Sequence, residues 1–163
     1  MMKQNKPDRK RWLINQLAAA SLLAAMTAPG ASGTWMNPAG GSWTNPANWN
    51  AGIVADGAGN AANFTALSLS ADVVVTLDAP RTIGILNFGD QNAPPHRWFL
   101  QSGTGGALTF AGTSPTVAVL GAPTTIAAPI HGPAGLTKVG GGKLILGAAG
   151  TLGGAITVNA GTL

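Results

Sequence analysis

The sequence predicts an all-β protein folded as a parallel β-helix, a solenoid of stacked coils. Short segments alternate apolar and polar residues with a period of two, as a strand with one buried face does. Nearly every gap between them contains Gly, Pro, Asn or Asp, which favour turns. Segments as short as Leu108-Thr109-Phe110 fit a frequently turning coil better than a sandwich strand of about 5–6 residues. A β-sandwich built from the same strands is the alternative.

The clearest predicted strand follows Asp72, because Val73, Val75 and Leu77 share one face. In Leu144-Ile145-Leu146 and Ile156-Thr157-Val158 the first and third side chains are predicted to point into the protein and the second to point to solvent. The other predicted strands span residues 83–88, 98–100, 108–110, 117–120, 125–130 and 136–139.

Composition excludes several classes of protein. The 163 residues include 24 Gly, 11 Pro and no Cys, so a disulfide scaffold and Cys-based metal sites are excluded. Only 9% of residues are charged, which suits stacked coils because ladders of like charge would repel. The net charge of +4 arises within the first eleven residues. The rest of the chain therefore has no basic face, and no nucleic-acid partner is expected.

Residues 1–33 have the layout of a secretory signal peptide. A basic head containing Arg9-Lys10-Arg11 precedes an apolar run over residues 17–26, and small residues follow up to Gly33. Cleavage after Gly33 and export through the Sec machinery are predicted. The apolar run is shorter than the ~20 residues that cross a bilayer, and no membrane span is expected in the mature chain. An exported chain without Cys suits passage through a second membrane as an unfolded thread.

Residues 34–100 are rich in Trp, Asn and Gly and are predicted to form the N-terminal cap and first coils. The unit Trp-x-Asn-Pro-Ala occurs at residues 35–39 and again at 43–47. Exposed Trp faces stack on sugar rings, whereas buried ones could close the apolar end of a solenoid. We favour capping, because a β-helix must close its end. The residues concerned are Trp35, Trp43, Trp49 and Trp98.

The mature part has few groups for catalysis or metal binding. Those considered are Asp72, Asp78, Asp90, Arg81, His96 and His131. The three aspartates and the arginine are residue types that a calcium-dependent polysaccharide lyase uses. Their spacing does not match a calcium site, however, because Ca²⁺ takes 6–8 oxygen ligands. The aspartates are better explained as solvated turn residues, and the two histidines as residues of surface loops. No catalytic residue, metal ligand or cofactor is therefore expected.

Residues 135–163 resemble the autotransporter-associated β-strand repeat. The residues that match its pattern are Gly135, Leu136, Thr137, Lys138, Gly140, Gly142, Leu144, Leu146, Gly153, Gly154, Val158, Gly161 and Leu163. Ile156 and Ala148-Ala149 depart from the residues common in that family. Residues 43–88 are more loosely similar to the N-terminal segment of large bacterial proteins that carry such repeats.

The resemblance implies a right-handed β-helix, with residues 101–163 as the repeat region, at the bacterial cell surface, outer membrane or outside the cell. In this family the repeat is a non-enzymatic passenger element that assists folding and outward passage. We expect a longer parent chain with further repeats. The alternatives are a polysaccharide-binding module that uses the N-terminal Trp residues, with a surface polysaccharide as partner, and a fragment of a β-helical polysaccharide lyase.

Overall fold

A computed structural model describes residues 30–163. Except for residues 30–33, the predicted signal peptide lies outside the described residues. The described part is all-β, and its helical elements are two 3-10 turns, Pro46–Asn48 and Asn50–Gly52. Its strands are β1 (Gly33–Thr34), β2 (Gly41–Ser42), β3 (Ala61–Phe64), β4 (Val73–Leu77), β5 (Arg81–Ile83), β6 (Ile85–Phe88), β7 (Trp98–Ser102), β8 (Leu108–Phe110), β9 (Thr116–Val119), β10 (Thr124–Ala127), β11 (Ile130–Gly132), β12 (Leu136–Val139), β13 (Leu144–Leu146), β14 (Thr151–Leu152) and β15 (Ile156–Val158).

The strands form three parallel sheets. The six-stranded sheet has the order β1-β3-β6-β9-β12-β15, the five-stranded sheet β2-β4-β7-β10-β13, and the four-stranded sheet β5-β8-β11-β14. From β3 to β15 the chain visits the three sheets in a fixed rotation, so each strand pairs with the strand three places along. The all-β prediction is confirmed. The β-sandwich alternative does not fit, because its sheets would be antiparallel.

Side chains alternate between the interior and the outer surface, as the period-two pattern predicts. Val73, Val75 and Leu77 of β4 are buried, whereas Val74 between them is exposed. Leu144 is buried and Ile145 is exposed. Val158 is in parallel register with the buried Lys138 and so shares its inward face, but it is 42% exposed because β15 is the edge strand of this sheet among the described residues.

Two of the predicted strands are each divided by a corner. The segment 83–88 contains the end of β5 and all of β6, which belong to different sheets and are separated by Gly84. A Cβ atom at Gly84 would lie 2.5 Å from the Cα atom of Gly59, so only glycine fits at this corner. The segment 125–130 is divided in the same way between β10 and β11.

The apolar core runs without interruption from Trp35 to Leu144. The predicted boundary between residues 100 and 101 falls within β7, and the one after Gly33 falls within β1. Gly33 pairs with Ala62, so residues at the predicted cleavage position take part in the six-stranded sheet.

Candidate functional site

The four tryptophans chosen from the sequence lie inside the fold. Trp35, Trp43, Trp49 and Trp98 are each at most 3% exposed. Each indole N–H donates a hydrogen bond to a backbone carbonyl, as Trp49 Nε1 does to Trp43 O at 2.7 Å. Because their polar atoms are paired, the rings are buried without leaving an unsatisfied donor.

Phe64 on β3 lies at the centre of these rings. Its ring stacks on Phe88 with centroids 4.9 Å apart and an interplanar angle of 10°. We call the whole group the aromatic cluster; it comprises Phe64, Phe88, Trp35, Trp43, Trp49 and Trp98. Phe64 is not among the residues chosen from the sequence, although its place in the apolar–polar alternation of β3 predicts an inward side chain.

Sugar binding by stacking requires an aromatic face that is open to solvent. None of the four tryptophans has such a face in the described structure, so we do not propose them as a sugar-binding platform. Burial in one cluster at the N-terminal end of the sheets is what an end cap requires, and capping remains our hypothesis.

The repeated Trp-x-Asn-Pro-Ala unit forms the same local turn twice. Asn37 Oδ1 accepts a hydrogen bond from the Ala39 N–H at 2.9 Å, and Asn45 Oδ1 accepts one from the Ala47 N–H at 3.0 Å. Such a turn uses the short asparagine side chain as a substitute for a backbone carbonyl. Asn37 Nδ2 also donates to Oδ1 of the buried Asn48 at 2.8 Å, which ties the two turns together.

Asp78, directly after β4, joins that strand to the N-terminal segment. The Ser42 and Thr44 hydroxyls donate to Asp78 Oδ2, and the Thr44 N–H donates to Oδ1 at 3.2 Å. Burial acts to raise the pKa of Asp78, but the hydrogen bonds from Ser42 and Thr44 outweigh it and hold the pKa below its ordinary value. The ionised carboxylate is thus a fixed acceptor between two segments.

Asp90 organises the loop between β6 and β7. Its buried carboxylate accepts hydrogen bonds from the backbone N–H groups of Leu69, Asn92 and His96 and pairs with His96 Nδ1 at 3.0 Å. Burial acts to raise the pKa of Asp90, but these hydrogen bonds outweigh it and lower the pKa to about 2. The carboxylate therefore holds the loop instead of facing a ligand.

We predict that acid weakens the fold through Asp90. Its pKa is lower in the folded chain than the ordinary 3.8, so the stabilisation is complete above that value and is lost as the pH falls towards 2. The expected loss is about 2 kcal/mol between pH 5 and pH 2, at about 1.4 kcal/mol per pKa unit. Urea unfolding of the wild type and Asp90→Asn at both pH values measures it. The difference in unfolding free energy between the wild type and Asp90→Asn should shrink by that amount from pH 5 to pH 2. A difference that does not change with pH would contradict the stabilising role of the Asp90 carboxylate.

The residues considered for lyase chemistry do not form one site. Arg81 pairs with Asp56, at 2.8 Å between Nη1 and Oδ2, and not with the aspartates proposed from the sequence. Asp72 accepts a hydrogen bond from the Arg97 N–H at 2.8 Å. Within residues 30–163, no group of three or more His, Asp or Glu side chains is arranged to hold a metal ion.

His131 lies on a strand and not in the predicted loop. It belongs to β11, in register with Thr151, and its Nδ1 is 2.8 Å from Thr151 Oγ1. His96 does lie in a loop, but its backbone and ring both contact Asp90. Neither histidine is free of a protein partner.

The residues of the repeat motif divide into apolar inward positions and glycines in close contact. Leu136 and Leu144 are buried and Leu146 is half-buried, whereas Leu163 is 49% exposed. Thr137 is half-buried on the opposite face of β12 from Leu136. At every glycine of the motif an added Cβ would lie 2.1–2.7 Å from a backbone atom of another segment; these are Gly135, Gly140, Gly142, Gly153, Gly154 and Gly161.

Lys138 is the unexpected member of the motif. The alternation of β12 directs it inward, and it is 0% exposed. From the sequence Lys138 is only a residue of the motif, yet the period-two pattern predicts its inward direction, because Leu136 lies two residues earlier. Burial lowers the pKa of Lys138 below its ordinary value.

Comparison with known proteins returns no match among family models, curated proteins or solved structures. In the part of the chain that the structure describes, no helix has the length and apolar character to cross a membrane.

Proposed function

We propose that this chain is an exported, non-enzymatic structural segment of a bacterial surface or secreted protein. In this proposal it folds as a right-handed parallel β-helix, and its C-terminal repeat assists folding and outward passage. The resemblance of residues 135–163 to the autotransporter-associated repeat suggests this role. The observation that supports it best is the rotation of the chain through three parallel sheets.

The spacing between paired strands supports a stack of similar coils. Gln101 and Thr76, neighbours on β7 and β4, are 25 residues apart in the chain, and their side chains share a hydrogen bond. His131 and Thr151, neighbours on β11 and β14, are 20 residues apart. A chain in which each coil of three strands pairs with the coil just before it can fold progressively as it emerges from a membrane.

A non-enzymatic role is supported by the use of the carboxylates. Asp56, Asp72, Asp78 and Asp90 each accept a hydrogen bond from a backbone N–H of another segment. A general acid, a general base or a metal ligand needs a carboxylate that faces the substrate or ion. These four side chains instead hold turns and strand ends together.

Reversing the charge of the N-terminal head tests export. Changing Arg9, Lys10 and Arg11 together to Glu is expected to leave the unprocessed precursor in the cytoplasm, because the basic head orients a signal peptide. The assay is fractionation of a bacterium with an outer membrane, followed by mass spectrometry of the chain. Lys143→Glu, at an exposed position, is the control and should be exported normally.

Normal processing of the triple variant would contradict the signal peptide. Protease added to intact cells separately tests surface display of the wild type. A processed chain that stays protected in the periplasm would contradict outward passage while leaving export intact.

A further inference from the structure

Lys138 places a cation in an otherwise apolar column of the interior. Its neighbours in register are Val117 on β9 and Val158 on β15. A charged group removed from water is costly unless hydrogen bonds compensate it. No carboxylate is among the hydrogen-bond partners of Lys138 in the described residues, so uncharged groups must compensate its charge.

Three backbone carbonyls surround the ammonium group. Lys138 Nζ donates to Val139 O at 2.9 Å, to Gly140 O at 2.7 Å and to Ala160 O at 3.0 Å. The first belongs to the last residue of β12, the second to the turn that follows β12, and the third to the turn that follows β15. The ammonium therefore connects the turns that follow two neighbouring strands of the six-stranded sheet, β12 and β15.

Glycine allows the second turn to approach this cation. Gly161 has φ +73°, and a Cβ atom there would lie 2.4 Å from Gly142 O, 2.6 Å from Gly140 O and 2.9 Å from Lys138 Nζ. The turn over residues 159–162 can thus lie directly on the turn over residues 139–142. Asn159 N–H to Lys138 O, at 2.9 Å, and Leu144 N–H to Thr162 O, at 3.0 Å, complete the contact.

Apart from backbone pairing, this C-terminal segment buries few side chains. In β15, Ile156 is half-buried, and Thr157 and Val158 are exposed. Residues 144–163 also contain no charged side chain, so no salt bridge within them can hold the segment. Backbone pairing with β12 and the packing of Ile156 hold β15, and the contacts around Lys138 add the only side-chain hydrogen bond from another segment to the turn over residues 159–162 in the described structure.

We propose that Lys138 is a docking site for backbone carbonyls, by which each coil that carries it captures the turn of the coil that follows. The inference rests on the proposed function, because it specifies how the repeat assists folding. In this chain the bound group is the Ala160 carbonyl. The kind of partner that Lys138 recognises is an uncharged, Gly-containing turn that presents a carbonyl oxygen.

Hydrogen exchange on the purified protein tests this docking. Lys138→Met keeps the length of the side chain but removes the ammonium. The Asn159 and Leu144 amides are expected to exchange about tenfold faster or more, because charged hydrogen bonds are lost. Amides of β3 to β8 should keep their wild-type rates. Lys143→Met, at an exposed position of the same repeat, is the control and should leave all these rates unchanged.

A second pair of variants tests the approach of the turn. Gly161→Ala should accelerate exchange of the same two amides, because its Cβ would clash with Gly142 O, Gly140 O and Lys138 Nζ and push the two turns apart. Gly105→Ala is the control for backbone strain, since Gly105 also has φ +73° but nothing within 4 Å of an added Cβ. If Lys138→Met fails to fold, this pair decides the question alone.

The double variant Lys138→Met/Gly161→Ala separates docking from simple packing. If both residues act through one contact, the second substitution adds little to the exchange rate that the first already causes. Three results would overturn the proposal. The first is wild-type exchange of the Asn159 and Leu144 amides in Lys138→Met, and the second is equal exchange rates of these amides in Gly161→Ala and Gly105→Ala. The third is a double variant in which the effects of the two single substitutions on these rates are fully additive. These measurements use purified protein, so their failure is distinguishable from a failure of export.

Discussion

Phe64→Ala is expected to lower the free energy of unfolding by about 3–5 kcal/mol, the range found for aromatic residues truncated to alanine in a core. Phe64 is 0% exposed and contacts every other ring of the aromatic cluster. Its removal leaves a cavity lined by the other five rings of the cluster, which the surrounding structure can fill only in part. Urea unfolding followed by tryptophan fluorescence measures the change, because four tryptophans line the cavity.

Phe99→Ala is the matched control. Phe99 is the next residue to the buried Trp98 on β7 but is only half-buried on the opposite face. Its truncation should cost about 1 kcal/mol or less, in proportion to the smaller apolar area that it buries. Equal losses for the two variants would mean that the aromatic cluster is not a distinct stabilising unit.

Leu144→Asp is expected to destabilise the C-terminal strands by about 3–5 kcal/mol, since it places an uncompensated carboxylate in the interior. Leu144 is 0% exposed and is paired with Thr124 on β10. If stability is a sum over neighbouring coils, the C-terminal strands should unfold first and the aromatic cluster should stay folded. Limited proteolysis locates the first cleavages, and tryptophan fluorescence reports on the N-terminal end.

Ile145→Asp on the same strand is the control, because Ile145 is 37% exposed. An outward carboxylate remains in water, so the change in unfolding free energy should stay within about 1 kcal/mol. Equal protease resistance of the two variants would mean that the register of β13 is wrong. Simultaneous loss of the aromatic cluster in Leu144→Asp would instead show that the sheets unfold as one unit.

The pattern of residues along the chain determined the secondary structure and the direction of most side chains. Valines at alternate positions of β4 and the Leu-Ile-Leu run of β13 required only the period-two geometry of an extended backbone. The two Asn-Pro-Ala units predicted turns for an equally local reason, since an asparagine side chain bonds to a backbone group two residues away. The same local pattern gives the direction of Val158 but not its 42% exposure, because exposure at the edge of a sheet depends on whether another strand covers it.

The tertiary structure alone decided which segments meet. The corner at Gly84 depends on Gly59, and the carboxylates of Asp78 and Asp56 bind groups 34–36 and 25–26 residues away. The place of Lys138 between three carbonyls likewise depends on a turn 22 residues further on. The physical reason is that alternation follows from bonded geometry, whereas these contacts depend on strand pairing between distant segments, which no short stretch of sequence specifies.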